Sequence, residues 1–300
     1  MKDYSVTDAT VTPVQTPGPN NWEMHGVTKE DRPKPFRRRS ALRGFEPPLQ
    51  DEADSRRNLP ATLPQPWDQL RHARPAVRKH ILARAPLVNF FRETPTARSF
   101  DLLRTRLSQA MKQRGWKRLA VVAPTPGCGA TFSAVNLALS LARVPGSRTI
   151  LMDLNQRDPG VGDALDIHGV GDTAAFLSGE LPATGHLVKC NDTLALGLTD
   201  DPDHRAAAER LHSAECAQAL DRMCDDMNPD QVLFDLPPVL GYDDFSAFLP
   251  RVDAVLLVAD ATRTTAAHIA ACEDVINGHS QLLGVVLNRA RRGGVETYDA

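Results

Sequence analysis

Between Leu119 and Arg143 the chain reads LAVVAPTPGCGATFSAVNLALSLAR. The opening letters are apolar and predict a short buried strand, whereas apolar residues recur at helical spacing over the last thirteen letters. A loop that contains Gly127 and Gly129 joins the two segments. The order strand, glycine-containing loop, helix indicates an α/β fold.

The same alternation of strand and helix continues along the chain. Buried-type strands are predicted at 119–123, 149–153, 193–198, 231–235, 253–260 and 282–288. Helices are predicted at 131–143, 204–227 and 264–278. Because strands that alternate with helices form βαβ units, we expect a mostly parallel sheet covered by helices on both faces. Ligands of such sheets bind at the carboxyl ends of the strands.

The loop 123–131 has the composition of a phosphate-binding loop. Its glycines allow backbone N–H groups to turn around phosphate oxygens, and the start of the next helix adds partial positive charge. The hydroxyl of Thr131 is placed to ligate Mg²⁺. The lysine that precedes this hydroxyl in such loops is replaced by Ala130. A purely structural strand-to-helix turn is the alternative interpretation.

Two aspartates follow apolar segments at the ends of predicted strands. Asp153 ends the strand 149–153 and Asp235 ends the strand 231–235. Carboxylates at these positions, near a phosphate-binding loop, are where a Mg²⁺–phosphate complex needs them. One such aspartate alone could cap a loop, but two of them favour a nucleotide site.

The N-terminal third differs in composition from the rest. Residues 1–99 hold 17 Lys and Arg against 11 Asp and Glu, and the remainder holds 18 against 26. Residues 1–66 are polar and proline-rich, so we expect a disordered basic arm. A helical linker is expected over 67–99 and the α/β domain over 100–300. The arm is either a solvated tail, a segment with an acidic or membrane-surface partner, or a segment that folds back on its own domain.

Overall composition excludes several classes of protein. The net charge of −2 gives no reason to expect a nucleic-acid partner. None of the five cysteines forms a CxxC pair, so no zinc site is expected. No apolar run approaches the ~20 residues of a membrane span, and the first residues lack the apolar region of a signal peptide. We therefore expect a cytoplasmic protein.

Together these segments resemble the bacterial tyrosine kinases that control capsule and exopolysaccharide synthesis. The phosphate-binding loop of that family, Walker A, reads roughly PGEGKST, and residues 126–132 read PGCGATF. The Walker A′ motif reads D-x-D-x-R, and residues 153–157 read DLNQR; Walker B reads D-x-x-P, and residues 235–238 read DLPP. A later family strand ends in Asn and a base, as 284–289 does with GVVLNR.

The resemblance implies a role for each matching residue, with ATP or ADP and Mg²⁺ as cofactors. Asp153 would be the general base that accepts the tyrosine proton, and Asn288 would contact adenine. The implied nucleotide-binding residues are Gly127, Cys128, Gly129, Ala130, Thr131, Phe132, Asn288 and Arg289. The implied metal site consists of Thr131, Asp153 and Asp235.

Four departures from the family pattern bear on activity. Ala130 removes the cation that contacts the β- and γ-phosphates, and Asn155 replaces the second Walker A′ carboxylate. The family's oligomerisation segment, E-x-x-R-x-x-R, aligns with Arg98, Asp101 and Arg104, whose first two charges are exchanged. The C-terminal tail has a single tyrosine, Tyr298, in place of the family's tyrosine cluster.

These observations favour a regulator of exopolysaccharide or capsule biosynthesis that binds nucleotide weakly and is impaired in phosphoryl transfer. One alternative is an active tyrosine kinase or ATPase that uses a substitute cation from Arg157, Arg289 or a neighbouring subunit. Another is a nucleotide-free interaction module, or an ATPase of the kind that positions plasmids and division sites. The implied partner is a membrane polysaccharide co-polymerase that regulates chain length, with recruitment to the inner face of the plasma membrane; homo-oligomerisation stays open.

Overall fold

The computed structural model describes residues 64–75, 87–88, 93–200, 202 and 206–290. The predicted arm lies almost wholly outside these residues, as does Tyr298. Within them the chain forms eight strands. These are β1 Arg71–His72, β2 Arg118–Val122, β3 Thr149–Asp153, β4 Val188–Asn191, β5 Leu194–Gly197, β6 Gln231–Asp235, β7 Ala254–Asp260 and β8 Gln281–Asn288.

The strands form one sheet in the order β1-β4-β5-β3-β6-β2-β7-β8. Every neighbouring pair is parallel except β4 and β5, which are antiparallel. Strands β2, β3, β6 and β7 are almost fully buried, as expected for apolar strands covered on both faces. Because β2 lies between β6 and β7, the loop that follows it is flanked by strand ends on both sides.

The helices cover both faces of the sheet. They are α1 Pro95–Arg114, α2 Ala130–Leu141, α3 Val161–Leu165, α4 Thr173–Leu177, α5 Ala183–His186, α6 Ala207–His212, α7 Ala214–Met227, α8 Asp244–Phe248 and α9 Ala266–Ile276. Short 3₁₀ helices occur at Pro66–Gln69 and Leu249–Arg251. One apolar cluster joins α1, α2 and α3 to one face, and a second joins α4 to α9 to the other. The prediction of a mostly parallel sheet covered on both faces is confirmed.

Helix α1 is joined to α2 by a charged cluster centred on Asp101. The Asp101 carboxylate accepts a hydrogen bond from the Ser140 hydroxyl at 2.7 Å and forms an ion pair with Arg143 at 2.9 Å. Arg104 approaches the same carboxylate at 3.3 Å and donates to the Ser140 carbonyl at 3.1 Å. Two of the three residues aligned with the family's oligomerisation segment therefore make contacts within the chain.

The predicted helix 204–227 is two helices in the structure. Ser213 has an extended backbone, with φ −63° and ψ 156°, and separates α6 from α7. Its hydroxyl accepts a hydrogen bond from the Cys216 N–H at 3.0 Å, so it caps α7. The helical pattern of the sequence continues through this residue, and only the cap breaks it.

The described part of 67–99 contains a 3₁₀ helix and the short strand β1, which pairs with β4. Trp67 is buried in the core, and its indole N–H donates to the Asp192 carbonyl at 3.1 Å. Helix α1 begins at Pro95, a few residues before position 100. Residues before 100 thus contribute to the same sheet and core as the rest of the domain. Within the described residues, no helix is long and apolar enough to cross a bilayer.

Candidate nucleotide-binding site

The loop between β2 and α2 has the backbone of a phosphate-binding loop. Gly127 and Gly129 have φ of 74° and 95°, in the left-handed region that favours glycine. A Cβ on Gly129 would lie 2.2 Å from Nδ2 of Asn288, so that side chain would have to shift. Helix α2 begins directly after this glycine, at Ala130, whose side chain is half-buried.

Strand pairing brings four polar residues to the edge of the sheet beside this loop. Asp153 and Asp235 are direct partners at the ends of β3 and β6. Asp260 and Asn288 are direct partners at the ends of β7 and β8. The loop after β2 lies between the two pairs, because β2 is hydrogen-bonded to β6 on one side and to β7 on the other.

Asp153 is fully buried and held by backbone donors. Its carboxylate accepts hydrogen bonds from the N–H groups of Gly160 and Val161, both at 3.0 Å, and of Asn155 at 3.2 Å. Burial raises the pKa of this carboxyl to about 7, and the charge of Asp158 adds to the rise that the three N–H donors oppose. A carboxyl with such a pKa can accept a proton near neutral pH.

Asp235 is the least satisfied charged group of the site. Burial, followed by the charge of Asp153, raises the pKa of its carboxyl well above the ordinary value. Neither carboxylate oxygen has hydrogen-bond geometry with a described residue, although the Thr131 hydroxyl is near enough to oppose the rise in pKa. Two adjacent buried carboxylates, one without donors, fit a divalent cation, which would offset both charges.

The donor set suits Mg²⁺ bound together with phosphate. The described residues contain no group of three or more His, Cys, Asp or Glu side chains able to hold a metal ion. Thr131 would supply a hydroxyl oxygen, and phosphate oxygens and water the remaining ligands. Thr131 also contacts the Walker A′ loop, because a Cβ added to Gly160 would lie 3.1 Å from its Cγ2. Bound Mg²⁺ supplies charge stabilisation to the phosphoryl group.

Phe132, one of the implied nucleotide-binding residues, and Asn155, which departs from the Walker A′ pattern, both make contacts within the chain. The Phe132 ring packs edge-on against Phe100 of α1, with ring centres 6.1 Å apart. The Asn155 side chain accepts a hydrogen bond from the Asp158 N–H at 3.3 Å and thus closes the turn after β3. Asn155 is therefore a turn-forming residue in the described structure.

Arg157, one of the candidate substitute cations, binds a carboxylate outside the loop. Its Nε donates to the buried carboxylate of Asp244 at 2.8 Å. Its guanidinium carbon lies 4.4 Å from the centre of the Tyr242 ring. Arg157 would have to leave a buried carboxylate to reach a phosphate.

The outer side of the loop carries an arginine that the sequence did not reveal as a site residue. Arg263, which follows β7, donates from Nη2 to the Pro126 carbonyl at 3.2 Å and from Nε to Asp260 at 3.1 Å. Arg289 donates from Nη1 to the Gly127 carbonyl at 3.0 Å and also binds Asp260. The position of Asp260 at a strand end is the same signal that identified Asp153, but nothing in the pattern marks Arg263.

Asp260 binds both arginines and remains ionised. Hydrogen bonds from Thr262, and to a smaller extent those from Arg289 and Arg263, hold the pKa of the Asp260 carboxyl well below its ordinary value. On the same side of the loop, the Asn288 amide donates to the Cys128 carbonyl at 2.8 Å, while its oxygen accepts from the Arg289 N–H at 2.9 Å. Both ends of the Asn288 amide are thus bound within the chain.

Comparison with known proteins gives relatives in one group. No protein-family model matches the chain. It is 28% identical over 209 residues to the putative tyrosine-protein kinase EpsB of Ralstonia nicotianae, covering 65% of this chain and 26% of that protein. It is 27% identical over 192 residues to the tyrosine-protein kinase YwqD of Bacillus subtilis, covering 63% of this chain and 79% of that protein. The chain thus spans about a quarter of the length of EpsB.

Solved structures with the same fold include two kinase domains. The kinase domain of the Escherichia coli tyrosine kinase ETK superposes with a TM-score of 0.64 at 20% identity, over 77% of this chain and 87% of that one. The BceF tyrosine kinase domain superposes with a TM-score of 0.60 at 23% identity, over 73% and 91%.

The chain belongs to the parallel α/β class of folds that these solved kinase domains share. Within that class the chain is similar to bacterial tyrosine kinases, as its motifs indicated. The resemblance inferred from the sequence is therefore confirmed.

Proposed function

We propose that this protein is a nucleotide-binding regulator that binds Mg-ATP or Mg-ADP weakly and transfers phosphate poorly. The observation that carries the proposal is that two buried carboxylates, Asp153 and Asp235, end neighbouring strands beside the glycine-containing loop, while Ala130 is the first residue of α2. The two carboxylates and the Thr131 hydroxyl are oxygen ligands of the kind that Mg²⁺ takes, whereas the side chain at position 130 carries no charge.

The missing cation affects the transfer step as well as binding. Phosphoryl transfer depends on positioning and on stabilising the charge of the transferring group. The carboxylate of Asp153 can accept the proton of a tyrosine hydroxyl while that oxygen bonds to the γ-phosphorus and ADP leaves. Asp153 contributes no positive charge to the phosphoryl oxygens. Removal of one preorganised charge-stabilising donor typically costs about 10²- to 10³-fold in rate.

Titration of the full chain with Mg-ATP and Mg-ADP by calorimetry tests the proposal. The loss of about 2–4 kcal/mol of phosphate interaction corresponds to binding roughly 30- to 1000-fold weaker than that of a lysine-containing loop. Sub-micromolar binding of Mg-ATP would contradict the proposal. So would strong wild-type autophosphorylation that disappears in Asp153→Ala.

A second candidate is an enzyme with residual kinase or ATPase activity. Arg263 and Arg289 favour it, because both guanidinium groups lie against the phosphate-binding loop. Radiolabelled ATP separates the two candidates: phosphate incorporation that depends on Asp153 and on one of these arginines supports the enzyme.

We further propose that the protein acts in exopolysaccharide or capsule synthesis, in the cytoplasm, through a membrane co-polymerase that regulates chain length. The similarity to bacterial tyrosine kinases supports this assignment. Co-purification with the cytoplasmic segment of a membrane polysaccharide co-polymerase from the same organism tests it. Equal recovery on beads that lack that segment would count against the partner.

A further inference from the structure

Three consecutive carbonyl groups of the phosphate-binding loop are held from outside by side chains. Arg263 donates to the Pro126 carbonyl, Arg289 to the Gly127 carbonyl and Asn288 to the Cys128 carbonyl, at 3.2, 3.0 and 2.8 Å. The donors come from the ends of β7 and β8, more than 130 residues away in sequence. Asp260 binds both arginines and fixes their positions.

Fixing these carbonyls also fixes the direction of three N–H groups. In a trans peptide the C=O and the following N–H point in opposite directions. The N–H groups of Gly127, Cys128 and Gly129 therefore point away from the three donors. None of the three N–H groups donates to an acceptor in the described part of the chain. Successive free N–H groups in such a loop form a concave site for an anion.

Charge adds to this arrangement. The two guanidinium groups and the Asp260 carboxylate carry a net charge of +1, equal to that of the absent lysine. Each arginine side chain is 51% exposed, so solvent screens part of this charge. The arginines bind the outer side of the loop, whereas a lysine at position 130 would start from the helix end inside it.

We propose that Arg263 and Arg289, anchored by Asp260, form a clamp that positions the loop N–H groups for the phosphates of a nucleoside diphosphate unit. The inference rests on the proposed function, since it concerns the same site. The clamp orients the loop for phosphate binding but supplies no cation inside the loop, so the direct phosphate contact and the catalytic role of the lysine stay unfilled. Without a cation directed at the terminal phosphate, Mg-ATP and Mg-ADP should bind with affinities within about threefold of each other.

Ligand-observed NMR titrations of the full chain test the clamp, because they measure millimolar affinities. The probes are Mg-ADP, Mg-pyrophosphate and adenosine. Arg263→Ala and Arg289→Ala should each weaken Mg-ADP and Mg-pyrophosphate binding about 10-fold, with adenosine binding unchanged. Arg263→Lys keeps the charge but cannot bridge Asp260 and the loop with two nitrogens, so it should bind like Arg263→Ala.

Arg251→Ala is the matched control. Arg251 also donates to backbone carbonyls, those of His212 and Ser213, but from the end of the 3₁₀ helix Leu249–Arg251, beside the amino end of β7. Its loss should leave Mg-ADP affinity unchanged. Melting temperatures of all variants check that each one folds; if an alanine variant does not, Arg263→Lys and Arg289→Lys carry the test.

The outcomes separate the clamp from the function on which it rests. If the wild type binds Mg-ADP and every arginine variant binds it with the same affinity, the clamp is overturned and the proposed function stands. If Arg263→Lys keeps the wild-type affinity for Mg-ADP while Arg263→Ala loses it, the charge alone is responsible. That result also overturns the proposal that the arginine positions the loop. Failure of the wild type to bind Mg-ADP and Mg-pyrophosphate overturns the proposed function and the clamp with it.

Discussion

Replacing Ala130 by lysine should restore the missing cation. Position 130 is the first residue of α2, directly after Gly129, and its side chain is half-buried beside the loop. An ammonium about 4 Å from a phosphate charge gains about 4 kcal/mol at an effective dielectric of 20. Immobilising a lysine side chain costs up to about 2 kcal/mol of rotamer entropy.

The net gain of about 2 kcal/mol corresponds to roughly 30-fold tighter binding of Mg-ADP. Calorimetry on the wild type and Ala130→Lys measures it, with adenosine as a phosphate-free ligand. Ala130→Met is the matched control, because methionine fills similar space without charge and should give little gain. Equal gains in the two variants would assign the effect to packing. No gain in Ala130→Lys would mean that the side chain at 130 does not face the phosphates.

Catalysis should return in a second step. With Ala130→Lys in place, Asn155→Asp should raise ATP hydrolysis or autophosphorylation above background, because a second carboxylate strengthens the metal site. Asp153→Ala should remove that gain. Activity of the double variant that survives Asp153→Ala would assign the base to another residue.

Four further predictions concern individual side chains. Asp235→Asn should raise the free energy of unfolding at pH 8 in the absence of Mg²⁺, measured in urea, since burial disfavours the charged form of a carboxyl whose oxygens have no hydrogen-bond partner among the described residues; a loss of stability would contradict this. Burial lowers the pKa of His186 from 6.5 to about 4, so the folded protein favours the neutral imidazole. Because the unfolded chain gains this proton first, the free energy of unfolding should fall by about 3 kcal/mol as pH falls from 6.5 to 4. The raised pKa of Asp153 has the opposite effect, because it makes the free energy of unfolding fall as pH rises from about 4 to 7. Asp153→Asn removes this opposing effect, so the variant should lose stability more steeply than the wild type as pH falls. Ser213→Ala should cost about 1 kcal/mol through the lost cap of α7, and an unchanged urea midpoint would count against that role.

Much of the fold follows from local patterns. Predicted strands at 149–153 and 231–235 match β3 and β6, because apolar segments of that length, followed by polar residues, bury well in a parallel sheet. The split between α6 and α7 was missed, because helical periodicity continues through Ser213 while a side-chain cap decides the break. Strand β4 was missed because its short sequence, VKCN, lacks a continuous apolar run.

Part of the candidate site could be predicted from the sequence for the same reason. Gly127, Gly129, Thr131, Asp153 and Asp235 each stand beside a local signal, a glycine-containing loop or a strand end. The register between β3 and β6, which makes the two aspartates direct partners, came only from the structure. The hydrogen bond from Arg157 to Asp244, which is 87 residues away in sequence, also came only from the structure.

By itself, the sequence determined the parallel α/β class, the glycine-containing loop between strand and helix, and the absence of a lysine at position 130. These properties depend on residues that are neighbours in the chain. Tertiary structure alone decided what surrounds that loop. Strand order places β7 and then β8 beside β2, which brings Asp260, Arg263 and Arg289 to the carbonyls of the loop. Side-chain contacts across a sheet depend on which strands pair and in what register, and hydrophobic periodicity within one strand is the same for many pairings.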